Sequence, residues 1–177
     1  MSTSPVRVEL LASSEWRTLR EMRLRAVADS PHAFLVHAGR ERPDVEEDWQ
    51  AYLRSGLWLV ARDGANRLGM LCLVTDAENG RRYVEAMWVD PAHRTAGVGK
   101  QLLLSAADIV RASHHLKMFL WVLDGNDRAH GYYRRRGFLP TGRRQPVGSP
   151  PEHLEEEYSL HLGKRTNAGK NGDTFTQ

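Results

Sequence analysis

One stretch limits the folds open to this chain more than any other. Tyr83 to Val89 is an apolar run of strand length, and Asp90-Pro91-Ala92-His93-Arg94-Thr95-Ala96-Gly97 makes a tight turn after it. From Val98 to about Ser113 the apolar residues Val98, Leu102, Ala106 and Ile109 fall on one helical face. Leu116 to Leu123 follows and is apolar almost throughout, as a strand buried on both faces would be. A strand, a helix and a strand in that order imply a crossover, and a crossover pairs its two strands in parallel. Any fold for this chain must contain that unit.

The start of the helix carries a chemistry. Gly97 and Gly99 sit one residue apart where the helix begins, and a glycine lets another molecule approach its backbone closely. The first amides of a helix have no intrahelical partner and lie at the positive end of its dipole. That combination suits an anion, a phosphate or pyrophosphate above all. Arg94 and Lys100 add positive charge at the two ends of the turn. A nucleotide P-loop is excluded, because Gly99-Lys100 is followed by Gln101 where Ser or Thr is required. A dinucleotide loop is excluded too, because Leu102 stands where its third glycine belongs.

The rest of the chain wraps around this unit. Val6 to Leu11 alternates as an edge strand, and Ser13 or Ser14 offers a cap for an amphipathic helix over Glu15 to Ala28. Ser30-Pro31 ends that helix, and Pro31 to Arg42 reads as a loop or irregular turn. Asp44 caps a second helix over Val45 to Arg54. Leu57 to Arg62 and Leu68 to Thr75 form a hairpin around Asp63-Gly64-Ala65-Asn66, and Asn79-Gly80 turns into the strand from Tyr83. After the crossover come a helix from Asn126 to Arg136 ended by Gly137, a strand over Phe138 to Arg143, a loop over Gln145 to His153 and a last strand over Leu154 to Leu162. The order is β-α-α-β-β-β-α-β-α-β-β. Residues 1–162 read as a single domain and residues 163–177 as a disordered tail.

Composition narrows the partners. The net charge is +3, and the tail from Lys164 holds three cations against one carboxylate, so the body is almost neutral and charge alone does not argue for nucleic acid. Cys72 is the single cysteine, which excludes an internal disulfide and a cysteine-rich metal site. Residues 1 to 15 lack the apolar run of a signal peptide, and no apolar run approaches bilayer length, so a cytoplasmic setting with no membrane partner is the expectation.

The residues at 94 to 99, Arg-x-x-Gly-x-Gly, resemble the coenzyme A pyrophosphate loop of the GNAT superfamily of N-acetyltransferases. The run Asn126-Asp127-Arg128-Ala129-His130-Gly131-Tyr132-Tyr133-Arg134-Arg135-Arg136-Gly137-Phe138 resembles that family's second signature, in which an Asn ends a strand, a short helix carries a Tyr, and Gly-Phe follows. Met22 to Phe34 resembles the first helix of many bacterial members. The likeness covers residues 6 to 162. It implies an α+β fold of three layers, α/β/α, whose mixed and mostly antiparallel sheet splits between its parallel fourth and fifth strands.

The resemblance also implies a chemistry, the transfer of an acetyl group from acetyl-coenzyme A to a primary amine of a small molecule or peptide, in a ternary complex and with no metal. It assigns the pyrophosphate to the amides of Thr95, Ala96, Gly97, Val98, Gly99 and Lys100, with Arg94 beside them. The pantetheine arm falls to the backbone of Met87, Trp88 and Val89, and one N–H of the same strand serves the developing oxyanion. Tyr133 is the acid for the leaving thiolate, although one of Tyr132 and Tyr133 is expected merely to pack. Asn126 caps its helix and touches the coenzyme arm. Glu85, alone among apolar residues in its strand, is the candidate base, directly or through water, with His32 and His37 as rivals. Phe34, Glu85 and Trp88 are candidate acceptor contacts, from the region of the 30–42 and 140–153 loops, while Trp121 suits the core. Two other readings stay open: a non-catalytic acyl-coenzyme A binding module, and a nucleic-acid binder using Arg134-Arg135-Arg136 and Arg143-Arg144, which a solvated arginine face explains more simply. Assembly is also open, a homodimer through the final strands being one outcome.

Overall fold

A computed structural model describes residues 6–34, 45–147 and 153–163. The strands are β1 (Arg7–Leu10), β2 (Leu57–Asp63), β3 (Asn66–Thr75), β4 (Arg82–Val89), β5 (Lys117–Leu123), β6 (Leu139–Val147) and β7 (His153–His161). The helices are α1 (Trp16–Asp29), α2 (Glu46–Arg54), α3 (Val98–Ala112) and α4 (Asp127–Arg134), with single 3-10 turns at Pro31–Phe34 and Pro91–His93. Together they form one seven-stranded sheet in the order β1-β2-β3-β4-β5-β7-β6. Only β4 and β5 run in parallel, and they pair at one register position, Tyr83 opposite Phe119. The last strand in the chain therefore lies inside the sheet, between β5 and β6.

Two apolar clusters lie on opposite faces. Val98, Leu102, Ala106 and Val110 of α3 pack on Leu59, Leu71, Val84, Met118 and Leu120 of one face. Leu19, Met22 and Ala26 of α1 and Trp49 and Leu53 of α2 pack on Trp58, Val60, Met70 and Cys72 of the other. Each side chain so buried stabilises the fold by about 1.5–3 kcal/mol. The second layer of helices reaches only as far as β4. On that side β4, β5 and β7 are left to line a cleft.

The elements depart from the sequence reading in four places. Neither Ser13 nor Ser14 caps α1. Glu15 holds the cap position with no side-chain cap bond, because its carboxylate accepts from the Ala12 amide at 2.9 Å and from Arg62. Arg23, one of the arginines set between the apolar residues of the amphipathic α1, is fully buried, with its guanidinium 4.8 Å from the centre of the Phe34 ring. β6 runs on through the expected Gln145–His153 loop as far as Val147, which pairs with His153. An edge strand tolerates Pro140 and Pro146 because it is paired on one side only. The 3-10 turn at Pro31–Phe34 gives form to the start of the expected loop. Asp44, His37, most of the 30–42 loop and nearly all of the tail lie outside the described residues.

Candidate active site

The site begins with an irregularity in β4. Trp88 pairs with Met70 and Glu85 with Cys72, so two β4 residues lie between positions that one β3 residue, Leu71, separates. This is a β-bulge, and Ala86 has a φ of 51°, in the left-handed region that a side chain disfavours. The bulge resets the alternation along the strand. Val84 and then Met87 and Val89 face the α3 side, whereas Ala86 and Trp88 join the α1 cluster. Beyond Tyr83, β4 also parts from β5, so its edge from Glu85 to Val89 opens into the split. Unpaired strand groups there can accept an extended ligand as an added strand.

Glu85 lines a cleft of about 520 Å³ together with Tyr83, Trp121, Tyr133, Arg143 and Glu155. Water reaches its carboxylate from the cleft, but protein surrounds it on the other sides. This burial pushes its pKa up, the charge of Glu155 pushes the same way, and Arg23 opposes both. Glu85 is thus exposed on the open side of the sheet, at the cleft, and forms no ion pair among the described residues.

Helix α4 carries the tyrosine. Asn126 caps it, with Oδ1 accepting from the Ala129 amide at 3.1 Å, and Asp127 occupies the first turn. The helix is pinned from behind. The Tyr158 hydroxyl of β7 is 2.8 Å from His130 Nδ1 and accepts from Arg134 at 3.0 Å. Tyr133 leans the other way, on Phe138, and its hydroxyl points at the Met87 sulfur of β4, 3.5 Å away. Burial, with Tyr132 beside it, raises the Tyr133 pKa far above that of a free phenol. Tyr133 therefore keeps its proton and acts as a donor.

A second groove, of about 340 Å³, runs from this point to the glycine turn, past Met87, Trp88, Val89, Arg94, Thr95, Gly99 and Tyr132. Gly97 caps α3 with a φ of 81°, a conformation that suits glycine and leaves no side chain in front of the helix. The first intrahelical bond is Gln101 N to Gly97 O at 3.1 Å, so the amides of Val98, Gly99 and Lys100 precede it. The Ala96 amide is committed instead to the His93 carbonyl at 3.2 Å. Gly99 owes its lack of a side chain to the protein itself, since the Tyr132 hydroxyl fills the space a Cβ would take.

Arg94 lines the groove but is already engaged. Its guanidinium pairs with Asp29, and its Nε donates to the Val89 carbonyl at 3.1 Å. Asp29 also accepts from Trp88 Nε1 at 2.9 Å and Ser30 Oγ at 2.7 Å. Burial alone would raise the pKa of Asp29, but these three donors outweigh it and hold the carboxyl below its usual range. Lys100 is exposed and borders a different surface, beside Leu103 and Leu104.

Of the expected walls, Phe34 is buried beneath both cavities, and Trp88 belongs to the α1 cluster while one side meets the groove. Trp121 is not core, contrary to expectation. It lines the cleft, stacked on Tyr83 with 6.4 Å between ring centres and covered by Arg143. His32 is exposed and borders neither cavity. Arg134, Arg135, Arg143 and Arg144 are exposed, as a solvated face would be, although several are also held by neighbours. Arg134 holds Tyr158, Arg136 lies over the Tyr132 ring, Arg143 pairs with Glu157, and Arg144 pairs with Asp124. Among the described residues no group of three metal-ligating side chains converges, and no helix is long and apolar enough to cross a membrane. Sequence reasoning missed Glu155, which looked like one more charge in an acidic run, and the Ala86 bulge, which no glycine announces.

Residues 19–138 match the family model described as the acetyltransferase (GNAT) family. Over 128 residues the chain is 34% identical to the mycothiol acetyltransferase of Beutenbergia cavernae, a stretch that is 71% of this chain and 42% of that protein. Over 129 residues it is 28% identical to the peptidyl-lysine N-acetyltransferase YjaB of Salmonella typhimurium, covering 71% of this chain and 80% of that one. The fold also resembles that of the Salmonella typhimurium acetyltransferase yncA, solved with its cofactor acetyl-CoA, at a TM-score of 0.70 and 17% identity over 94% of this chain and 99% of that one.

Proposed function

The chain belongs to the GNAT acetyltransferase family, and from that premise we propose that it moves the acetyl group of acetyl-coenzyme A to a primary amine of a small-molecule or peptide acceptor, by direct attack with both substrates bound. One observation carries the reading: the groove from the glycine turn and the cleft around Glu85 meet, and Phe34, Met87, Asn126 and Tyr133 line both. A donor entering along the groove and an acceptor entering by the cleft come together at the Tyr133 hydroxyl.

The residues divide the work. The amides of Val98, Gly99 and Lys100, with Thr95 and Gly97 around them, receive the pyrophosphate, and Arg94 stands by it while tied to Asp29. The open edge of β4 at Met87, Trp88 and Val89 pairs with the pantetheine arm, and Asn126 closes on the arm from the other side. When bound, acetyl-coenzyme A supplies an activated carbonyl and a thiol leaving group.

Glu85 takes the proton that the ammonium form of the acceptor must lose, directly or through water. An amine of pKa near 10 needs such help at neutral pH, and a carboxylate of raised pKa gives it more readily. A β4 amide donates to the oxygen where negative charge gathers. Tyr133 donates to the departing sulfur. It holds its proton more tightly than a thiol of pKa about 8.5 would, so it stabilises the thiolate by a shared hydrogen bond before any full transfer. Phe34 and Trp88 shape the acceptor's approach. The setting we propose is cytoplasmic, in keeping with the free thiol of Cys72.

Calorimetric titration of acetyl-coenzyme A tests the reading, with Gly97→Glu as the control that puts a carboxylate in the turn. Binding that the control abolishes, followed by amine-dependent thiol release, is the expected outcome. Absence of binding by the unaltered chain overturns the reading.

A further inference from the structure

If the chain carries out the proposed acetyl transfer, the cleft around Glu85 receives the acceptor. The floor of the cleft is a strip of sheet without a helix over it, and strand alternation decides what it shows. Tyr83 and Glu85 face it from β4, Trp121 from β5, and Glu155 and Glu157 from β7. Since β5 lies between β4 and β7, its residues Trp121 and Leu123 separate the acidic groups, with Trp121 directly opposite Glu157 and Leu123 directly opposite Glu155. Two strand spacings, about 10 Å, and a diagonal step along β5 separate Glu85 from Glu155.

The acidic groups of the floor are not equivalent. Glu157 is 1% exposed and fully engaged: it accepts from Tyr83 at 2.6 Å, Thr141 at 2.7 Å, Arg143 at 2.9 Å and Arg81 at 3.2 Å. Asp76, at the rim, is spent on the amides of Glu78 and Asn79. Among the described residues Glu155 accepts from Gln145 Nε2 alone, at 2.6 Å, and neither Glu155 nor Glu85 forms an ion pair. Of the cations nearby, Arg143 is bound to Glu157 and Arg23 lies beneath the floor among Phe34, Tyr52 and Trp58. Among the described residues the cleft thus presents two carboxylates without a counter-charge, on opposite sides of β5 and separated by Leu123 and Trp121. Partial loss of surrounding water raises the pKa of each, and the charge of Glu155 raises that of Glu85 further.

We infer that the acceptor is a dibasic amine: the amino group at Glu85 is acetylated, a second, retained cation binds Glu155, and the carbon spacer crosses β5 beside Leu123 and the edge of Trp121. Glu155 is on this account a specificity-determining residue that takes no part in the bond changes. An acceptor with a single amino group would leave Glu155 unmatched. An anionic acceptor would be repelled.

The test uses α,ω-diamines of three to eight carbons against 1-aminoalkanes of the same length, with acetyl-coenzyme A and the full chain, read as thiol release. At least one diamine should exceed its monoamine at least ten-fold in kcat/KM. Glu155→Gln should cut that preference ten-fold or more, mainly through KM, and Glu155→Asp should restore part of it. No preference in the unaltered chain overturns the inference, as does a preference that Glu155→Gln leaves intact. A binding readout stands apart from turnover. The chain is saturated with the product coenzyme A and then titrated with 1,6-diaminohexane or 1-aminohexane. Tighter binding of the diamine, lost in Glu155→Gln, supports the inference, and equal binding of the two overturns it. Failure of coenzyme A itself to bind overturns the functional reading instead, so the two failures are distinct.

Discussion

The Tyr132 hydroxyl occupies the space that a Cβ on Gly99 would need, and so α4, the helix within the second signature, is keyed into the start of α3. Gly99→Ala should therefore overpack the junction and lower stability by about 1–3 kcal/mol in denaturant unfolding. Tyr132→Phe in the same chain should recover part of that loss, since it removes the atom in the way. A double-mutant cycle with no coupling between the two positions would refute the contact.

Tyr133→Phe tests the acid. The hydroxyl is held toward Met87 and keeps its proton, so its removal should lower kcat by about 10²–10³ while coenzyme affinity changes less than about two-fold. Unchanged turnover would remove Tyr133 from the chemistry. Total loss of turnover with binding intact would fit a stricter dependence on the same proton.

Glu85 links activity to stability through its raised pKa. As a base it must be ionised, so kcat/KM should rise with pH through a value above the ordinary carboxylate range. The folded chain holds this proton more tightly than the unfolded chain does. Stability is therefore greatest below the unfolded pKa and declines as pH rises through the folded one. Glu85→Gln should remove that decline, raising the thermal midpoint at pH 8 while lowering turnover. A midpoint that falls at pH 8 would contradict the assignment.

Asp29 carries the opposite sign. Its pKa is held down by Trp88, Ser30 and Arg94, so its contribution is present above about pH 4 and is lost as pH falls through its lowered folded value. Asp29→Asn should cost about 1–2 kcal/mol at pH 7 and flatten the acid limb of the stability profile. It also frees Arg94, so a change in coenzyme affinity in either direction would show that the pair takes part in phosphate binding.

Glu157→Gln should be costly for a different reason. Four donors converge on this buried carboxylate, and the amide cannot accept from all of them, so we expect a loss of about 2–3 kcal/mol in denaturant unfolding. Since Tyr83 and Arg143 also border the cleft, acceptor KM should rise with it.

Most of the fold was legible because its elements are strongly periodic. The α3 stripe from Val98 and the apolar run of β5 allow only a parallel crossover, and Gly97 marks the helix start through a conformation that glycine favours. Other features had no local signal. Ala86 adopts a left-handed φ because the sheet on β3 demands an extra residue there, and nothing in an alanine advertises it. Trp121 and Trp58 look alike in sequence, yet one is covered by helices and the other faces the cleft, a difference set by how far the helical layer extends. Glu155, Glu156 and Glu157 form one acidic run, but strand alternation and the partners of Glu157 give each a separate fate. Burial of Arg23 was hidden for a similar reason, because the aromatic rings that cover it come from other elements, Phe34 after α1, Tyr52 of α2 and Trp58 of β2.

The sheet meets extended chains differently at its split and at its rim. At the split it offers bare strand groups, but at the rim β6 carries Pro140 and Pro146, which have no N–H to give, and its register with β7 slips between Pro140 and Arg144. A stray polypeptide therefore finds a broken template where the sheet is easiest to reach. Two copies meeting at this end would have to do so through side chains such as Leu139, 67% exposed, and Leu154, 44% exposed, and not by lengthening the sheet. A fold that opens its middle to a strand-like guest thus carries its own guard against fibrillar growth.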